Sequence, residues 1–181
     1  MKYLTTAVSI VAVLLFGLSY LQKKRQNIVL VGTVSRVLYV VQYVLAGAFA
    51  GAALDVLGAL GSALAGQRDK PFVAKHIRLI LATIGTLMLA AGITLTVAQK
   101  KPLELLPMAG VMLQTGALWL RREKDIRRLS LAGTPFWLIY NLCQIPSGSM
   151  VFLGDIWCAT SLLIASFRYD WKKPQKRKIR K

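Results

Sequence analysis

Arg36, Asp55 and Asp155 are ionisable side chains set inside long apolar stretches of a 181-residue chain. Placing such a group in bilayer hydrocarbon costs roughly 2.5–3.5 kcal/mol on insertion scales, so one retained there is a functional candidate by default. Arg36 stands about nine residues into its stretch, or about 13 Å at 1.5 Å per residue. The two aspartates enter from the opposite face, about five or six residues deep. A carboxylate in that position can bind a cation, a proton or solute hydroxyls, and a guanidinium can bind the complementary groups. The structural alternative is that Arg36 snorkels toward the headgroups and the aspartates reach the outer interface. Gln42, Gln114, Asn141 and Gln144 are uncharged candidates, with interhelical hydrogen bonding favoured over ligand contact.

Other chemistry finds little support. The single histidine, His76, lies beside Lys75 and Arg78 at a membrane edge, where a solvated role is the better reading. Cys143 and Cys158 fall in apolar stretches without metal-ligand spacing, and both are expected to pack as small hydrophobes. There is no paired histidine and no nucleophile with a base. We therefore expect no enzyme activity, no cofactor and no metal.

These residues must be positioned by membrane helices. Hydrophobic residues make up 55% of the chain and the mean hydropathy is +0.52, more apolar surface than a soluble core of this size absorbs. A spanning helix needs about 20 mostly apolar residues, and spans are expected near 4–21, 28–46, 50–66, 77–98, 103–120, 130–146 and 149–168. Twenty of the 24 lysines and arginines fall in alternate loops and the tail. The other side receives Lys2, Lys100 and Lys101, and the turns at 47–49 and 146–148 carry no charge. The positive-inside rule then places the N-terminus outside and the C-terminus in the cytoplasm. The first apolar run lacks a cleavage-type site and is expected to be retained as a helix.

The net charge of +17 reads as this topological signal and as attraction to anionic headgroups. No aromatic stacking platform accompanies the tail WKKPQKRKIRK, so nucleic acid is not expected as a partner. Trp171 at the basic edge reads as a belt residue, and Trp119 and Trp157 as belt or packing residues. Whether the chain forms a homo-oligomer stays open.

Sliding the chain by 100 residues aligns two triplets of spans. Asp55 meets Asp155, Arg68 meets Arg168, and the basic loops and neutral turns coincide. A parallel repeat needs an odd number of crossings between its halves, which makes 77–98 an inverting linker. The organisation expected is a first three-helix bundle at 1–66, a linker with its helix at 67–102, a second bundle at 103–168 and a basic tail at 169–181. Span three is rich in small residues, including Gly58, Ala59, Gly61 and Ser62, which allow close backbone approach in lipid. It is therefore expected between spans one and two, with span seven likewise between spans five and six.

The second triplet carries a resemblance. Met112-Leu113-Gln114, Trp119 and the loop ending Lys124-Asp125-Ile126 are similar to the Pro-Gln motif and following loop of PQ-loop transporters. Trp137-Leu138-Ile139-Tyr140-Asn141 resembles the W-x-x-Y-G/N stretch of SemiSWEET and SWEET sugar transporters, and Leu153-Gly154-Asp155 stands where those carry Leu-Ala-Asn. The chain also resembles the YgjV-type bacterial inner-membrane proteins, a likeness carried mostly by Leu106 through Arg168. The resemblance implies an all-α, seven-helix, SWEET-like 3-1-3 arrangement, with Trp137 walling a solute site and Asp155 within it. The departures are specific. Leu113 replaces the motif proline, Leu14 stands opposite Gln114, Val37 stands opposite Trp137, and Asp155 replaces the asparagine, which argues against a neutral sugar.

Two functional classes follow. One is a transporter of a small polar solute or ion working by alternating access between the bundles, with Trp137, Asp155, Asp55, Asn141, Gln114 and Arg36 along the path. The other is a non-transporting component that partners or stabilises another inner-membrane protein.

Overall fold

The computed structural model describes residues 2–45, 47, 49–100, 102–143 and 149–171. Seven α-helices follow in order: α1 (Lys2–Tyr20), α2 (Arg25–Leu45), α3 (Phe49–Gly66), α4 (Pro71–Gln99), α5 (Leu105–Leu118), α6 (Glu123–Cys143) and α7 (Ser149–Ala165). A 3-10 turn at Pro102–Glu104 leads into α5, and a π-helical turn at Ser166–Asp170 extends α7. The described residues contain no strand. The stretches Tyr3–Tyr20, Arg25–Leu45 and Pro71–Ala98 are long and apolar enough to cross a membrane, and Gly51–Gly66 and Leu105–Leu118 are shorter apolar helices. Lys101, Gln144, the turn at 146–148 and the basic tail from Lys172 onward lie outside the described residues.

Several helices begin before their apolar stretches do. The basic segments continue the helix, because nothing in them interrupts backbone hydrogen bonding and their cations can stand at the membrane edge. Thus α6 starts at Glu123, well ahead of the expected 130, and places Arg127 in its second turn. Proline at the first position of α4 suits a helix start, where its missing N–H is no loss.

α2 shows how burial is distributed. Leu30, Val34, Val37, Val41 and Val44 form an exposed apolar stripe, spaced at three and four residues as one helix face requires. The opposite face buries Gly32, Ser35, Arg36 and Gln42. The polar groups therefore point inward and the branched hydrocarbons outward, which fits a helix surrounded by lipid. The Ser35 hydroxyl donates to the carbonyl of Ala12 on α1 at 2.8 Å.

The helix order within each triplet differs from expectation. α2 packs along both α1 and α3, and α6 along both α5 and α7. The second helix, not the third, is thus the central one. Between triplets α1 meets α7 and α3 meets α5, closing a ring, while α4 packs outside against α3 and α5. The glycines explain the difference. The position a Cβ would take at Gly58 is filled by Arg36 of α2 with Val111 of α5 beside it, and that at Gly61 by Thr115 of α5 with Ile84 of α4 beside it. Gly17 of α1 lies against the Trp157 indole and Gly154 of α7 against Val13. The small residues serve close contacts both within and between triplets, so a small face does not make α3 the central helix.

The end of the ring bearing the basic loops is closed twice over. Tyr20, Ile28, Ala65, Trp119, Ile126 and Leu162 belong to a buried apolar cluster there. Over it, the Arg25 guanidinium donates to the carbonyls of Leu120 at 2.9 Å, Leu118 at 3.0 Å and Ala65 at 2.8 Å. Arg127 donates to the carbonyls of Tyr20 at 3.3 Å and Gln22 at 3.0 Å, and pairs with Asp170 at 2.9 Å. Each arginine thus reaches carbonyls at helix ends of the other triplet, where the last turn leaves acceptors open, and Arg25 also takes the Ala65 carbonyl of its own triplet. Arg68 likewise donates to the Trp119 carbonyl.

Candidate functional site

Away from that closed end, the ring holds a partly open cavity with a volume of about 40 Å³, lined by charged, polar and aromatic side chains. Arg36 comes from α2, Asp55 from α3, Gln114 from α5, Trp137 from α6 and Asp155 from α7, and all five line it. Asn141 of α6 stands at its edge, donating from Nδ2 to Asp155 Oδ2 at 2.6 Å. The six residues singled out in the sequence therefore converge, although they are drawn from five helices.

Arg36 and Asp55 form an ion pair at 3.6 Å, with their side chains 3% and 11% exposed. Both are buried among the helices, so Arg36 does not extend along the outer surface as the snorkelling alternative supposes. The separation exceeds hydrogen-bond length, and Arg36 Nε has no partner within the protein. Its guanidinium also lies 5.8 Å from the centroid of the Phe16 ring, within cation–π range. Arg36 is thus held in place and still has an unused donor.

Asp155 is treated differently. Its only side-chain hydrogen bond comes from a neutral amide, and no cation is paired with it among the described residues. The 100-residue repeat delivers two carboxylates to one cavity but only one arginine, because Phe136 occupies the position equivalent to Arg36. With all three groups ionised the cavity is one negative charge in excess.

The walls are aromatic. Trp137 fits against Gly110 of α5, whose lack of a side chain leaves room for the indole, and its Nε1–H is buried without a partner. Tyr39 and Tyr43 are stacked with centroids 6.4 Å apart and an interplanar angle of 26°, and Phe16 meets Tyr39 edge-on at 6.1 Å. Neither tyrosine was anticipated. Their spacing from Arg36, three and seven residues onward along α2, puts them on its face and was the signal available. Thr134 and Cys158 complete the lining.

A second cavity of about 430 Å³ adjoins the first and shares Tyr39 and Gly154 with it. It opens between α1, α2 and α7 beside Ser9, Val13 and Trp157. Gln42 also borders it and has an unpartnered, buried Oε1. Gln42 is therefore a wall residue rather than interhelical glue through that oxygen.

The remaining sequence candidates lie elsewhere. His76 is at a local departure from helical geometry in α4, with Nδ1 2.9 Å from the Phe72 carbonyl. Cys143 is exposed, contrary to the packing role expected, whereas Cys158 is buried. Trp157 packs on α1, and Trp171 is exposed with its ring edge-on to Phe167. Gln144 lies outside the described residues. No group of three or more potential metal ligands occurs among those described.

A family model described as a bacterial inner membrane protein, Imp-YgjV, matches residues 3–173. No curated protein and no solved structure matches the chain.

Proposed function

The chain belongs to the Imp-YgjV family of bacterial inner membrane proteins, and from that premise we propose that it transports a small polar solute or ion by alternating access between its two helix triplets. One observation carries the reading. Arg36, Asp55, Gln114, Trp137 and Asp155, contributed by both triplets, face one internal cavity instead of lipid. Buried charge is costly, and a purely structural membrane protein gains nothing by collecting it around a void.

The reading includes seven crossings, an outside N-terminus and a cytoplasmic C-terminus, as the charge distribution implies. The basic end is then the closed cytoplasmic side, and the larger groove is the access route from the opposite side. Parallel triplets joined by one helix support kinship with PQ-loop and SWEET transporters, whereas the central position of α2 and α6 departs from the order expected of that kinship. A cavity of 40 Å³ holds about three waters, which favours an ion or a very small solute over a sugar. That small volume also favours the second reading, a non-transporting component that stabilises a partner protein.

Proteoliposomes containing the purified protein, probed by solid-supported-membrane electrophysiology and by tracer uptake of small polar solutes, test the proposal. Uptake or current abolished by Asp155→Asn, with the variant still folded, supports transport. Signals identical for wild type, variant and empty vesicles overturn it in favour of the structural role.

A further inference from the structure

We infer that the inner cavity is a binding site for a small primary ammonium cation, held by Asp155 and walled by aromatic rings. The assignment rests on the transport reading for its biological use, but binding itself requires only the cavity. The charge inventory comes first. Arg36 offsets Asp55 at 3.6 Å, whereas among the described residues Asp155 receives only the neutral Asn141 amide. One monovalent cation restores neutrality in a low-dielectric space, where an uncompensated charge is most costly.

The walls decide the kind of cation. Phe16, Tyr39, Tyr43 and Trp137 line the cavity, and ring faces attract an ammonium group while tolerating attached carbon. An alkali ion would instead need a cage of several oxygen ligands at short, regular distances. Beyond two aspartates, one of them already engaged with Arg36, the described lining offers neutral oxygens on Gln114, Thr134, Tyr39 and Tyr43, and it is the aromatic rings beside them that suit an ammonium group.

Arg36 adds a second, independent indication. Its side chain is 3% exposed, it faces the cavity, and its Nε–H has no partner. A donor buried without a partner is rare in a folded protein, and it calls for an acceptor in the occupant. An ammonium at Asp155 that carries a hydroxyl two carbons away, the shortest stable spacing, offers a partner to both groups. The volume of about 40 Å³ seats roughly two to four heavy atoms. The class is therefore a short amine or amino alcohol.

The test uses the full-length protein in detergent, so transport is not required. Chloride salts of methylammonium, 2-hydroxyethylammonium, tetramethylammonium and potassium are compared with sodium at constant ionic strength. Binding is followed by thermal unfolding and by tryptophan fluorescence. The first two should raise the unfolding temperature saturably, 2-hydroxyethylammonium more strongly, and tetramethylammonium should not. Asp155→Asn should weaken binding at least tenfold, and Tyr43→Leu should weaken it severalfold without abolishing it. Gly85→Ala, on a helix face with open space around it, should bind as wild type does. Equal stabilisation by potassium would overturn the choice of an ammonium. So would stability that responds at Asp155 to pH and to none of the salts, since the site would then take a proton alone. Binding without flux in vesicles would sink the transport reading and leave this site standing.

Discussion

Arg25 and Arg127 reach across to each other's triplets. Arg25 at the start of α2 holds the ends of α3 and α5, and Arg127 in the second turn of α6 holds the end of α1 and the turn after α7. Applying the 100-residue repeat turns α1 into α5 and α3 into α7, so the two arginines have equivalent partners in opposite halves. Both positions would otherwise read as loop cations that merely fix topology.

Arg127→Gln should therefore destabilise the protein strongly. The side chain is 1% exposed and its partner Asp170 is 8% exposed, and removing one member of a buried pair typically costs about 3–5 kcal/mol. Denaturant unfolding in mixed micelles measures it. Adding Asp170→Asn to the variant should restore part of the loss, because the orphaned carboxylate is then gone. A stability within error of wild type would show that the clasp contributes nothing.

The two aspartates should respond in opposite directions to loss of charge. Asp55→Asn leaves the buried Arg36 without a counter-charge, and a loss of about 3–5 kcal/mol is expected. Asp155→Asn removes a carboxylate that has no cationic partner, so stability should be unchanged or raised. Unfolding of the two variants side by side without amine salts checks this. Equal losses would mean that Asp155 has a cationic partner.

Glycines at the seams should be sensitive to a single methyl group. A Cβ at Gly17 would overlap the Trp157 indole and one at Gly110 would overlap Trp137. Each alanine substitution should cost about 1–3 kcal/mol by overpacking. Gly85→Ala, which meets open space, should stay within about 1 kcal/mol of wild type. Thermal unfolding in detergent ranks the three, and the proposed seams fail if Gly17→Ala and Gly110→Ala match Gly85→Ala.

Orientation is open to direct measurement. Reporter fusions after Lys24, Asp69 and Arg122 should be active as cytoplasmic fusions, and one after Gly47 as an external fusion. Lys100 and Lys101 run against the charge rule, so a fusion after Lys100 is the most demanding case and should also report the outside. A cytoplasmic result at both Gly47 and Lys100 would reverse the charge-based topology.

Much of this protein was readable without coordinates because its organisation is one-dimensional. Apolar stretches of about the bilayer thickness and cations in alternate loops follow from transfer energies that act residue by residue. The same energies singled out Arg36, Asp55 and Asp155, since a charge in hydrocarbon is conspicuous wherever it stands. Their place along one path was an expectation of the transporter reading and not of transfer energies, because convergence depends on which helix faces which. The small residues of α3 suggested a central helix, yet composition does not say which neighbour a small face accepts, and packing against α2, α4 and α5 settled it. Tyr39 and Tyr43 join the site only because the rotation of α2 sets them on the face of Arg36. Arg25 and Arg127 looked like solvated loop charges, and only the closing of helix ends from opposite triplets made carbonyl acceptors available to them. Tertiary structure also decided that Asp55 acquires a cation and Asp155 does not, because a counter-charge acts only where the fold brings it near.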